Sequence, residues 1–154
     1  MSETENENPL AALPTSGKLL GLDLGTKTIG IAVSDGLRLT ATPLETIKRT
    51  KFGKDADEID RLIADNNPVG IVLGLPLNMD GTEGPRAQST RAFARNLSGR
   101  ISIPIAFWDE RLSTSAVTRT LIEADVSRAK RAEVVDKLAA SFILQGALDR
   151  LATD

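Results

Sequence analysis

A chain of 154 residues, 41% hydrophobic and 26% charged, is long enough for one soluble domain with its own core. It has no histidine and no cysteine, which excludes a Ser-His-Asp triad, a histidine base, cysteine nucleophiles, disulfides and zinc or iron–sulfur sites and leaves carboxylates, hydroxyls, lysines or a hard cation for any chemistry. The net charge is −2, but setting aside Glu3, Glu5 and Glu7 leaves 19 basic against 18 acidic residues, so a nucleic-acid surface has to be a local patch.

Residues 1–16 are acidic, polar and proline-containing and read as a disordered tail ahead of one domain over 17–154. No apolar run nears the roughly 20 residues of a membrane helix, and the start has no secretory apolar segment, so the cytoplasm is the expected compartment. Leu19, Leu20 and Leu22 form an apolar strand ending at Asp23. After a turn at Gly25-Thr26-Lys27, Ile29, Ile31 and Val33 alternate in a second strand. A third runs through 39–47, where Pro43 cannot donate to a ladder and so predicts a sheet edge. Ala56, Ile59, Leu62 and Ile63 then mark a helix closed by Asn66-Asn67-Pro68. Val69 to Leu73 is a continuous apolar strand of the kind covered on both faces. A helix over 83–97, a strand from Ile101 to Trp108, and helices over 114–123 and 131–151 complete the chain. A three-strand meander followed by β-α-β units predicts an α/β fold, a five-stranded mixed sheet of order 3-2-1-4-5 flanked by helices. The first strand is then central, and its C-terminal end lies at a topological switch point.

Asp23 sits at that end. A carboxylate there is costly unless paired, hydrogen-bonded or metal-bound, and Thr26 and Lys27 offer a hydroxyl and an ammonium to a phosphate. The plainer alternative is a turn in which Asp23 only accepts local N–H bonds. Asp109, Glu110 and Arg111 follow the fifth strand on the same edge; a helix N-terminus accounts for one of these acids but less well for both. Asp136 shares a helical face with Ala132, Ala139, Ala140, Ile143 and Ala147, away from Lys137, Ser141 and Gln145, and so is expected to point inward. Its alternative is a buried salt bridge to Arg111 or Lys137. Three converging carboxylates without histidine suit Mg²⁺ or Mn²⁺, which can activate water and steady the leaving oxygen at phosphorus. Arg86, Arg91, Arg95 and Arg100, and then Arg128, Lys130 and Arg131, can contact flanking phosphates, or simply form solvated faces. Asn78, in the loop Gly74–Gly81, can hold a phosphate oxygen or only shape its loop.

Four blocks in order, GLDLGTKTIGIAVSD (21–35), GLPLNMDG (74–81), DERLST (109–114) and VDKLAASFILQGALD (135–149), resemble the YqgF family of ribonuclease H-like proteins. Its members are assigned as Holliday-junction resolvases or as nucleases of pre-16S ribosomal RNA. The resemblance spans residues 18–150 and implies a ribonuclease H-like fold. It also implies motif acids on Asp23, Glu110 and Asp136, with Asp109 adjoining. Many members carry Arg where this chain has Lys27 or Thr28, and a positive charge is kept at Lys27. The expectation is a nuclease in which Asp23, Glu110 and Asp136 are catalytic and hold Mg²⁺ or Mn²⁺, with Asp109 as a further ligand. Thr26, Lys27, Asn78, Arg111, Arg128, Lys130 and Arg131 are expected to contact the nucleic acid. The substrate is pre-16S rRNA or another structured RNA, or alternatively branched DNA; monomer and homodimer are both open. Two other classes compete. One is a nucleic-acid-binding protein without catalysis. The other is a nucleotide-binding module, because the run from Asp23 to Lys27 also resembles the first phosphate loop of sugar kinases and actin.

Overall fold

The computed structural model describes residues 9–112 and 128–153. Its five strands are β1 (Leu19–Leu24), β2 (Thr28–Ser34), β3 (Ala41–Lys48), β4 (Gly70–Leu75) and β5 (Ile105–Asp109). They form one sheet in the order β3-β2-β1-β4-β5, antiparallel from β3 to β1 and parallel from β1 to β5. The order expected from hairpin and crossover rules is the one found. Pro43 lies on edge strand β3, beside a register shift between Ile31 and Ala32, where a missing N–H is least damaging.

Helix α1 (Phe52–Asn66) ends where Asn67 turns left-handed at φ 52° and donates its N–H to the Ile63 carbonyl, with Pro68 following. Its buried face is Asp55, Ala56, Ile59 and Leu62; the Asp55 carboxylate accepts the N–H and hydroxyl of Thr50. Helix α2 spans Pro85–Ser98, with its proline in the first turn. Both helices pack on the face bearing Leu20, Leu22, Leu24, Ile71 and Leu73. The opposite face, with Leu19, Ala32, Val72, Ala106 and Trp108, is covered by helix α3 (Arg128–Ala152) through Ala140, Ile143, Leu144, Ala147 and Leu148.

α3 lies close because Gly21 has no side chain beneath it: a methyl there would stand 2.7 Å from Leu144 Cβ and 3.0 Å from the Ala140 carbonyl oxygen. Leu148 shares a cluster with Leu10 and Leu13, and Leu13 approaches Gly70 at the start of β4. The helix therefore lies across β2, β1 and β3 and reaches β4 with Ile143, its N-terminal half directed to the edge where β1 and β4 end.

Three expectations need correction. The strand read from Ile101 begins only at Ile105, because Pro104 has no N–H for the ladder and contributes only its carbonyl, to the N–H of Ile71. The last helix starts at Arg128 rather than 131. Part of the expected tail is built in: Pro9–Ala12 form a 3₁₀ turn, and Leu10 and Leu13 are buried, because two leucines recover more free energy against the sheet than in water. The expected helix over 114–123 lies outside the described residues.

Candidate active site

Side chains alternate along β1, so Leu19, Gly21 and Asp23 share the α3 face. Asp23 is only 2% exposed. Its partner across β2 is Gly30. Extending the β1–β4 register by one residue beyond Leu22 and Leu73 puts Gly74 on its other side. A buried carboxylate thus stands between two positions without side chains, and on that face Glu110 enters. Glu110 opens a 3₁₀ turn directly after β5, and its Cγ and Cδ lie 3.1 and 3.3 Å from where a methyl on Gly74 would be. Its side chain therefore lies across β4, one strand spacing of about 4.8 Å from β1. Ile143 Cδ1, 2.6 Å from the same point, closes the space from α3.

Asp136 lies in α3, one turn before Ala140 and in the half of the helix directed to this edge. Its side chain, like those of Arg128, Lys130 and Arg131, falls outside the described residues. Among the described residues no three acids form a group able to hold a metal.

Asp109 has a different task. Its Oδ1 accepts the N–H of Arg111 at 2.9 Å, and both its oxygens accept the Arg111 guanidinium at 2.7–3.1 Å. Burial alone would raise its pKa, but the hydrogen bonds from Arg111 outweigh it and hold the carboxyl below the usual carboxylate range. Asp109 is thus the acid that caps the turn, and its carboxylate is committed to Arg111. Arg111 also donates to the Met79 carbonyl at 3.0 Å, tying down the loop after β4. Asn78 is exposed in that loop: its side-chain amide donates to the Thr82 hydroxyl, and its main-chain carbonyl accepts the Gly81 N–H.

The β1–β2 turn uses its Gly25 N–H on the Thr28 carbonyl and presents Thr26 and Lys27 to solvent. Two arginines brace it from outside. Arg49 donates its main-chain N–H to the Lys27 carbonyl and a guanidinium N–H to the Gly25 carbonyl at 2.6 Å. Arg86 donates to the Leu24 carbonyl at 3.2 Å. Sequence reasoning missed Arg49, Gly30 and Gly74. The arginine's partner is 24 residues away, and only a strand register makes the two glycines neighbours of Asp23. The arginine series from Arg86 to Arg100 is not a free basic face: Arg91 on α2 pairs with Glu83, and Arg100, just beyond α2, pairs with Asp57 and Asp60.

Residues 17–150 match the family model of RuvX, described as a Holliday junction resolvase. The chain is 68% identical over 145 residues to a Cereibacter sphaeroides protein named "Putative pre-16S rRNA nuclease", covering 94% of this chain and 91% of that one. A Paracoccus denitrificans protein of the same name is 65% identical over 140 residues, covering 91% and 89%. The structure of T. thermophilus RuvC in complex with Holliday junction substrate superposes with a TM-score of 0.55 at 14% identity, covering 89% of this chain and 97% of that one. At that identity the likeness is one of fold, and it bears out the ribonuclease H-like architecture. The four motif blocks, the sheet order and the match across 17–150 agree, and the chain belongs to the RuvX (YqgF) family.

Proposed function

We propose that this protein is a divalent-metal-dependent nuclease of the cytoplasm that trims structured RNA, with the 5′ end of pre-16S rRNA as its substrate. The observation that carries the reading is Asp23, buried between Gly30 and Gly74, with Glu110 lying over Gly74 beside it. Two carboxylates so placed turn hard oxygen donors toward one spot, which suits a shared divalent cation. The donors are carboxylates in a chain without histidine or cysteine, which fits Mg²⁺ or Mn²⁺. Asp23 and Glu110 would hold the ion, with Asp136 on α3 as a third ligand, and it would supply positive charge at the scissile phosphodiester.

The chain's own residues do the positioning. Asp23 is rigid because its strand is paired on both sides. Glu110 is aimed by the absence of a side chain at Gly74. Thr26 and Lys27 stand in the next turn, where a phosphate oxygen is within reach. The names of the close relatives favour RNA, while the family's description favours a four-way DNA junction. Cutting that junction symmetrically calls for a two-fold dimer.

The test is cleavage of a 5′-extended 16S precursor fragment and of a four-way DNA junction, with Mg²⁺, with Mn²⁺ and with EDTA. Asp23→Asn, Glu110→Gln and Asp136→Asn are each expected to abolish cleavage while leaving the circular dichroism spectrum intact. Wild-type rates in all three would overturn the reading. Tight RNA binding indifferent to EDTA, with no cleavage, would establish binding without catalysis. Micromolar Mg-ATP affinity by calorimetry would establish a nucleotide module.

A further inference from the structure

We propose that Arg49 and Arg86 form a phosphate-binding subsite at the β1–β2 turn, which holds a backbone phosphodiester flanking the one cleaved. The inference rests on the nuclease reading for its substrate and on a separate observation for its place. Arg61, Arg91, Arg100 and Arg111 are all paired with carboxylates. Arg49 and Arg86 have no carboxylate within ion-pair distance among the described residues. Their side-chain bonds go to the consecutive main-chain carbonyls of Gly25 and Leu24. A carbonyl orients a guanidinium without neutralising it, and the remaining N–H donors of the fork stay available. Two cations drawn to one turn repel each other, and a shared anion relieves that repulsion.

The place suits an anion. Arg49 and Arg86, with Leu24, Gly25, Thr26, Ser89 and Thr90, line a small open recess of about 50 Å³. Thr26 and Ser89 bring exposed hydroxyls, and no acid lines it. By contrast, the recess between β3 and α1 is lined by four acids, Glu45, Asp55, Asp57 and Glu58, beside Lys48 and Lys54. Arg86 also stands in the first turn of α2, a helix of 14 residues, where the dipole favours an anion.

Leu24 and Gly25 directly follow Asp23, so the recess begins roughly 3–7 Å along the chain from it. It lies on the side where Leu24 packs with α1 and α2, across the strand end from the acids. A nucleic-acid strand crossing that end places one phosphate at the carboxylates and a neighbouring one in the recess. Such a contact is blind to base sequence and serves RNA or DNA alike.

The experiment is fluorescence anisotropy with a labelled RNA hairpin carrying a 5′ single-stranded extension, in EDTA so that no cleavage occurs. It uses Arg49→Gln, Arg86→Gln, the double variant, and Arg61→Gln as an ion-paired control. Each single variant is expected to weaken binding about tenfold at low salt. Since both arginines grip one phosphate, the slope of log K against log salt falls by about 1 in the double variant rather than about 2. Arg61→Gln leaves affinity and slope as in the wild type. If the arginines only brace the turn, the melting temperature drops while the salt slope stays unchanged, and the subsite is refuted. Because the readout is binding, it decides the matter even if no metal supports cleavage, an outcome that would sink the nuclease reading alone.

Discussion

Gly74→Ala puts the geometry of the site to a quantitative test. The added methyl would stand 2.6 Å from Ile143 Cδ1 and 3.1 and 3.3 Å from Glu110 Cγ and Cδ, where carbon atoms prefer about 3.5–4.0 Å. The end of Ile143 must move by about an ångström, and Glu110 by a few tenths. Overpacking of this kind costs roughly 1–3 kcal/mol, and the stiffer unfolded chain returns about 0.4–1 kcal/mol. A net loss of about 1–2 kcal/mol lowers the melting temperature of a domain this size by roughly 2–8 °C. A misplacement of 1 Å in a reacting constellation costs on the order of 10²-fold in rate, so a few tenths predict about 3–10-fold. Gly70→Ala is the control: four residues earlier on β4, about 13 Å away, its methyl would press on Leu13 Cδ2 at 2.7 Å and Leu19 Cδ2 at 3.3 Å. It should cost stability but leave cleavage at 25 °C within about twofold of wild type, since no acid of the site is displaced. Thermal melts by circular dichroism and cleavage rates well below both melting temperatures decide the matter. Equal rates in the two variants, or a Gly74→Ala protein melting at the wild-type temperature, would refute the placement of Glu110 over β4.

Deleting residues 1–16 removes Leu10 and Leu13, both buried against the α3 face. Each fully buried leucine is worth about 1.5–3 kcal/mol, so the truncated chain and the Leu10→Ala/Leu13→Ala double variant are both expected to lose about 3–5 kcal/mol in urea titrations. A truncation that melts like the full chain would show that the segment is a tail after all. For Asp109, burial acts to raise the pKa, but the Arg111 hydrogen bonds prevail and lower it. A carboxyl lowered in the folded state stabilises fully above its unfolded value of about 3.9, and the benefit fades as pH falls through the folded value. Urea stability of the wild type is therefore expected to exceed that of Asp109→Asn by a constant margin above about pH 5, and the margin to close on acidification. A margin that widens toward pH 3 would contradict the assigned ion pair.

Much of this protein is readable from neighbours along the chain. The alternation of Ile29, Ile31 and Val33, the helix stop at Asn66-Asn67-Pro68, and Pro43 on an edge all follow from interactions within a few residues. With right-handed crossovers, these are enough to order the five strands and to bring Asp23 and Glu110 to one edge. What the sequence could not show is who partners whom. Asp109 and Glu110 are adjacent and chemically alike, yet Asp109 is claimed by Arg111 while Glu110 lies over Gly74, a choice made by strand parity and by a glycine on another strand. Likewise, α2 and the residues just after it carry several arginines, but only the fold decides that Arg91 and Arg100 meet acids while Arg86 reaches a carbonyl 62 residues away. Leu10 and Leu13 look like tail until the sheet offers them an apolar face. Periodicity is a local property that free energy imposes turn by turn, whereas burial and ion pairing depend on which distant surfaces the folded backbone brings within a few ångströms.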